Sequence, residues 1–273
     1  ELMVVMTLLT LIVLALMQVF SATQRAFRAS VTQTDVLEGG RAVSSLIVSD
    51  LRRMTPSDGN YPGPVNFFTL DNSFLPSTDY KPLRQALPGS TADRTNVLQY
   101  FFILSRENTR WQGIGYVVDA QSTSDFYPLY RYYAETNVTL SPLLLYSQFV
   151  NYVQNSQWTN MSHVVDGVVH LVVRPYSDTG VWMTNGYTLG MVPPPNSFFY
   201  SPIQGEVGCL FYGHTLPASV EMELGILEDH ALQRAEAIPN ILTRSNYLAG
   251  QSGSLQIFRQ HIAIPNADHA VYQ

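Results

Sequence analysis

An α+β fold, one long N-terminal helix laid against a largely antiparallel β-sheet, is what the sequence predicts, and three observations predict it. Residues 2–20 are apolar except for Thr7, Thr10 and Gln18. Residues 21–54 contain no proline and carry apolar side chains at spacings of three and four, the mark of a helix with one buried stripe. After Pro56 the pattern changes to short β-type runs separated by turn residues. A long helix followed by strands that pair with one another packs as helix on sheet.

The first element reads as a membrane segment. Nineteen apolar-rich residues from position 2 to 20 make ~28 Å of helix, the thickness of a bilayer's hydrocarbon core. The segment is apolar on all sides, so it is not an amphipathic surface helix. A cleaved signal peptide is the alternative; the missing basic n-region, the length of the apolar run and the lack of a small-x-small site after it argue for a retained anchor. Arg25 and Arg28 follow the span, and taken alone they place that end in the cytoplasm.

In the second element the stripe is Val43, Leu46, Ile47, Leu51 and Met54, with Arg41, Ser45, Asp50, Arg52 and Arg53 mostly off it. Pro56 supplies the stop. The two elements together predict one rod of ~80 Å at the standard helical rise, half in lipid and half on the domain. Gly39-Gly40 is its weak point, because paired glycines lower helix propensity by ~2 kcal/mol against alanine, and a bend or local melting is expected there. Three regions follow: 1–20 spanning, 21–55 extramembrane helix, and 56–273 a β-rich globular domain.

Within that domain residues 56–96, rich in Pro, Gly, Ser, Asp and Asn, read as a long loop with a short strand around Phe67-Phe68. Strands are expected at 97–103, 113–119, 126–133, 164–176, 218–226 and 255–264. In 218–226, Val220, Met222, Leu224 and Ile226 alternate with Glu221 and Glu223, which predicts one wet face. Residues 140–158 stay open between strand and helix. A short helix is expected at 228–238, and 183–215, with Pro193-Pro194-Pro195, reads as an irregular insertion.

Composition excludes several classes. Of the 273 residues 46% are apolar and only 13% charged, the reverse of a disordered chain. The net charge of −6 supplies no basic surplus for nucleic acid. Lys81 is the only lysine. Cys209 is the only cysteine, which excludes an internal disulfide and a thiolate metal cluster and reads as a small buried residue.

Motifs for chemistry are few. No Gly-rich phosphate loop, HExxH or GxSxG occurs. Glu107 and Glu135 are isolated in the sequence. Asp166 and His170 lie four apart on one expected strand and share a face, but no nucleophile is marked beside them, so they read as a solvated or cross-strand pair. Asp71, Asp79 and Asp93 lie in the expected loop without the dense spacing of a calcium site. Tyr127, Tyr130, Tyr132 and Tyr133 form an aromatic run of which alternation places half in the core. No catalytic group, metal site or cofactor is expected. The different-class alternative is a membrane-tethered extracytoplasmic enzyme or carbohydrate-binding module, which requires a convergent polar pocket.

The opening ELMVVMTLLTLIV, continued as one helix into a β-rich domain, resembles the type IV pilin-like proteins. The continuation VLEGGRAVSSLIVSDLRRM is similar to the J-type pseudopilins of type II secretion and the W-type minor pilins, as are VVDGVVHLVVRPYSDTGVW (164–182) and LPASVEMELGI (216–226) further along. The resemblance places Glu1 on the family's near-invariant glutamate, and implies that about four mature residues and a basic leader precede it. It also implies a pilin-like fold and a structural subunit of a pilus or type II secretion pseudopilus, not an enzyme. Its partners would be other pilin-like subunits through the N-terminal helix, a prepilin peptidase and an inner-membrane assembly platform. The basic leader would hold the domain outside the cytoplasm, against the vote of Arg25 and Arg28. Glu1 would pair with a neighbour's N-terminal amine; a residue snorkelling at the lipid boundary is the alternative.

Overall fold

Helix α1 (Leu2–Arg52) runs unbroken for 51 residues, ~76 Å at the standard rise. In the computed structural model, residues 2–58, 63–75, 82–87, 89, 91–120, 127–184 and 196–268 are described. They form an α+β fold whose strand ladders are antiparallel. The strands are β1 (Val65–Asp71), β2 (Leu83–Ala86), β3 (Asp93–Asn96), β4 (Gln99–Glu107), β5 (Arg110–Val118), β6 (Leu129–Asn137), β7 (Ser162–Val165), β8 (Val168–Tyr176), β9 (Ser197–Phe199), β10 (Cys209–Tyr212), β11 (Ser219–Leu227) and β12 (Leu255–Ala263). Helices α2 (Leu143–Gln154), α3 (Asp229–Glu236) and α4 (Ile241–Ala249) complete it. The large sheet has the order β7-β6-β5-β4-β1-β10-β9, a second has β12-β11-β8, and β2-β3 is a separate hairpin.

Two cores lie on the two faces of the large sheet. On one face Phe67, Phe101, Ile103, Ile114 and Tyr116 meet Ile47, Leu51 and Met54 of α1 and Val220, Met222 and Leu224 of β11. On the other, Phe68, Phe102, Val117 and Tyr132 meet Leu145, Phe149 and Val153 of α2. The second half of α1 is therefore held between two sheets.

The face that α1 presents differs in part from the expected stripe. Val43, Ile47, Leu51 and Met54 are buried, but Leu46 is 38% exposed and Asp50 only 3%. Small residues decide this. Gly40 lies against the Phe258 ring of β12, where an added Cβ would stand 2.2 Å from a ring carbon. Ser44 accepts a hydrogen bond from the Gln260 side chain of the same strand at 3.2 Å. The helix approaches β12 along Gly40 and Ser44, which turns Leu46 outward. Helical hydrogen bonding continues through Gly39 and Gly40, so the expected melting is absent and close packing explains Gly40.

Other corrections have similar causes. Residues 140–158 hold α2, whose Leu145, Phe149 and Val153 recur every fourth position. It can lie close because β5 offers Gly113 and Gly115: an added Cβ would meet Leu145 at 2.8 Å and Phe149 at 2.4 Å. The single strand expected at 164–176 is two, β7 and β8, in different sheets. The chain breaks between them at Gly167, whose φ of +78° suits glycine. The short strand expected around Phe67-Phe68 is β1, and the loop expected at 56–96 also contains β2 and β3. The hairpin of β2 and β3 is polar in sequence, yet Asn96 donates to the Gln85 side chain at 2.9 Å and Gln85 to the Leu248 carbonyl at 3.1 Å, both buried. The insertion at 183–215 contains β9 and β10, while 185–195, including Pro193-Pro194-Pro195, lies outside the described residues. The helix at 228–238 is α3. Unexpected, α4 begins at Asn240, whose side chain accepts the Thr243 N–H at 3.0 Å.

Candidate functional site

The first half of α1 is the most distinctive surface of the protein. Residues Met3–Gln24 have a mean hydropathy of 2.5, and none of this stretch is buried within the fold. Twenty-two residues give ~33 Å of helix, long and apolar enough to cross a membrane. Its threonine hydroxyls are satisfied internally: Thr7 donates to the Val4 carbonyl and Thr10 to the Met6 and Thr7 carbonyls, each at 2.9 Å. Up to Phe20 the outside is thus hydrocarbon apart from the exposed Gln18, as suits a lipid environment. Among the described side chains the buried contacts of α1 begin at Val36. Glu1 lies outside the described residues.

A buried ion pair ties α1 to the large sheet. Arg131 on β6 clasps Asp50 with two hydrogen bonds, Nε to Oδ2 at 2.9 Å and Nη2 to Oδ1 at 3.2 Å. Tyr116 on β5 donates its hydroxyl to the same Oδ2 at 2.6 Å. Burial, then the adjoining Asp50 carboxylate, push the Tyr116 phenol far above its ordinary value, so it remains a donor. The Asp50-Leu51-Arg52 triplet thus divides its work: Asp50 anchors, Leu51 is fully buried, and Arg52 is exposed. Sequence reasoning put Asp50 off the buried stripe because a carboxylate is assumed to seek water; Arg131 and Tyr116, far along the chain, remove that need.

The outer face of β11 is not wet, as the alternation predicted, but covered by ion pairs. Arg174 reaches Glu206 at 2.5 Å, Glu221 at 2.8 Å and Glu223 at 2.9 Å, and Arg259 reaches Glu221 at 2.8 Å. Glu221 is 8% exposed. His170 Nδ1 accepts the Val97 N–H at 3.1 Å, which leaves the ring proton on Nε2, 3.2 Å from Glu223. The His170 hydrogen bond and then Arg174 hold the Glu223 carboxyl down at about 2, against the cost of burial. A carboxylate depressed in the folded state stabilises the fold above its unfolded value of ~4.3, and that contribution is lost as pH falls toward 2. Acid denaturation followed by tryptophan fluorescence should show stability falling from about pH 5 downward. Glu223→Gln should flatten that fall, and an unchanged slope would remove Glu223 from the account.

The remaining candidates are dispersed or absorbed into packing. Asp166 does not meet His170; it pairs with His163 at 2.8 Å across the turn before β8. Glu107 and Glu135 are not isolated: both accept from Gln112 Nε2, at 2.9 and 3.3 Å, while Arg53 and Arg110 pair with them. Glu107, Arg110, Gln112 and Glu135 line a shallow open cleft with Asn108 and Thr109. Asp71 ends β1, is 3% exposed and accepts the Ser73 N–H at 2.8 Å; burial pushes its carboxyl up. Asp93 lies on β3, and Asp79 is outside the described residues. Among the described residues no three His, Cys, Asp or Glu side chains gather to hold a metal ion. Tyr132 is buried, Tyr130 stacks on Trp158 at 5.3 Å, Tyr133 is 44% exposed, and Tyr127 packs at the edge of the core. Cys209 is fully buried. No family model, curated protein or solved structure matches the chain.

Proposed function

We propose that the protein is a membrane-anchored structural subunit of the pilin-like type, a minor pilin or pseudopilin that assembles into, or caps, a filament of a type IV pilus or type II secretion system. One observation carries the reading: a single unbroken helix whose first half is bare hydrocarbon and whose second half is gripped between two sheets. A detachable tether needs no rigid continuation into the domain, whereas a subunit that transmits position from the bilayer to its domain does. The Asp50–Arg131 clasp fits this, because it locks the helix against sliding and rotation. The domain stands on the extracytoplasmic side of the inner membrane, and neighbouring pilin-like subunits are contacted through the first half of α1.

Liposome flotation and co-purification test the two halves of this reading. The full chain should float with vesicles, and a chain beginning at Ser30 should stay in the soluble fraction. From native membranes the full chain should bring down proteins with the same kind of N-terminal apolar helix. A full chain that stays soluble without detergent overturns the anchor. A chain that floats but brings down only soluble sugar-binding or enzymatic partners overturns the filament role.

A further inference from the structure

The outward side of α2 lies in the longest charge-free stretch of this chain. Residues 136–165 contain no Asp, Glu, Lys or Arg, in a protein whose net charge is −6. At the start of α2 three leucines face solvent: Leu140 is 60% exposed, Leu143 38% and Leu144 75%. Beyond them the exposed positions are Ser and amides, tethered along the helix itself. Asn155 donates to the Asn151 carbonyl at 2.8 Å and Gln148 to the Tyr152 hydroxyl at 2.7 Å. Arg106 on β4 is held over the ring of Trp111, which belongs to the α2-side core, at 5.6 Å.

We propose that this face is a self-association surface, on which two copies of the chain pack α2 against α2 about a two-fold axis near Leu144. Charge decides the occupant. In a two-fold contact every side chain near the axis meets its own kind. Leucine meeting leucine buries apolar area, and an amide both donates and accepts, so it satisfies another amide. A charged residue there would meet its like, and this face has none. An acidic or basic partner finds no counter-charge on it.

The contact is small. A helix ~18 Å long and ~10 Å wide covers far less than the ~800 Å² per partner of a stable soluble dimer. Pairing therefore depends on confinement of the chains in a bilayer, which raises their effective concentration, and to that extent it rests on the anchor proposed above. The geometry allows it, because α1 and α2 lie on opposite faces of the large sheet. Two copies joined through α2 therefore leave both α1 helices clear of the contact.

The test is cross-linking of the full chain in phosphatidylcholine liposomes with a short bis-maleimide. Cys209 is fully buried and its thiol is pushed well up by burial, so an introduced cysteine is the reactive one. Ser147→Cys, one turn beyond Leu144, should give a product of twice the chain mass, and Thr179→Cys, on the exposed turn after β8, about tenfold less. Adding Leu144→Glu to Ser147→Cys should lower the product about tenfold or more, because like charges then face each other. Leu144 is mostly exposed, so this variant should keep the parent's thermal midpoint. Equal products at positions 147 and 179, insensitivity to Leu144→Glu, or a product in native membranes of another mass overturns the proposal. Flotation of the same samples reads the anchor separately. A chain that floats and does not cross-link refutes the α2 contact alone. A chain that does not float refutes the anchor, and the same cross-linking in concentrated detergent then decides the contact.

Discussion

Arg131→Met is expected to destabilise the fold by about 3–5 kcal/mol, the cost of leaving one member of a buried pair without its counter-charge. Asp50 is 3% exposed and its carboxylate has three hydrogen bonds, two of them from Arg131. The Tyr116 hydroxyl that remains supplies no charge. Chemical denaturation of the full chain, followed by the fluorescence of its three tryptophans, measures the loss. The double variant Asp50→Leu with Arg131→Met should recover most of it, because a buried ion pair replaced as a whole by apolar groups is often neutral. A loss below about 1 kcal/mol for Arg131→Met would mean that water reaches Asp50 and that the clasp is a surface pair.

Glu1→Ala is expected to abolish incorporation into a filament while leaving the domain folded. This follows from the proposed role, in which the Glu1 carboxylate pairs with a neighbour's amine in lipid. An unpaired charge in that setting costs about 3–5 kcal/mol, and each 1.4 kcal/mol is about tenfold, so incorporation should fall by a factor of hundreds or more. Glu1→Gln should be milder, since the amide still accepts a hydrogen bond. Co-purification with pilin-like partners from membranes reads the first effect, and the thermal midpoint reads the second. Unchanged co-purification of Glu1→Ala would leave Glu1 as a boundary residue and remove the pairing mechanism.

The polar assignments failed in the sequence in a consistent way. Asp50 and Glu221 read as solvent-facing because each was judged by its own chemistry and its neighbours at helix or strand spacing, and Gln85 and Asn96 fell within an expected loop. In the structure each is buried against a partner distant in the chain: Arg131, Arg174, Leu248 and Leu83. Periodicity reports the faces of one element and says nothing of what another element brings to them. The same blindness separated Glu107 from Glu135, which Gln112 joins across the β4–β5–β6 ladders.

Glycine was misread for a related reason. Gly40 registers locally as a loss of helix propensity, and nothing local marks Gly113 and Gly115 within the strand expected at 113–119. Their use is steric: the missing Cβ atoms leave room for Phe258, Leu145 and Phe149. That room has value only where a second element fills it, so a local reading records the cost and misses the contact.

What the sequence by itself determined is the part governed by local physics. An apolar run of 19 residues excludes water whatever the rest of the chain does, and a proline-free stretch of good helix formers continues as helix until Pro56. Alternation of apolar residues likewise set the inward side of β11. Only the tertiary structure decided which side of α1 is buried, that residues 140–158 hold a helix at Leu143–Gln154, and that the expected strand at 164–176 divides between two sheets at Gly167. Each of those choices balances energies between groups far apart in sequence: a ring against a glycine, an arginine against a buried carboxylate. Such terms exist only after the chain has folded back on itself.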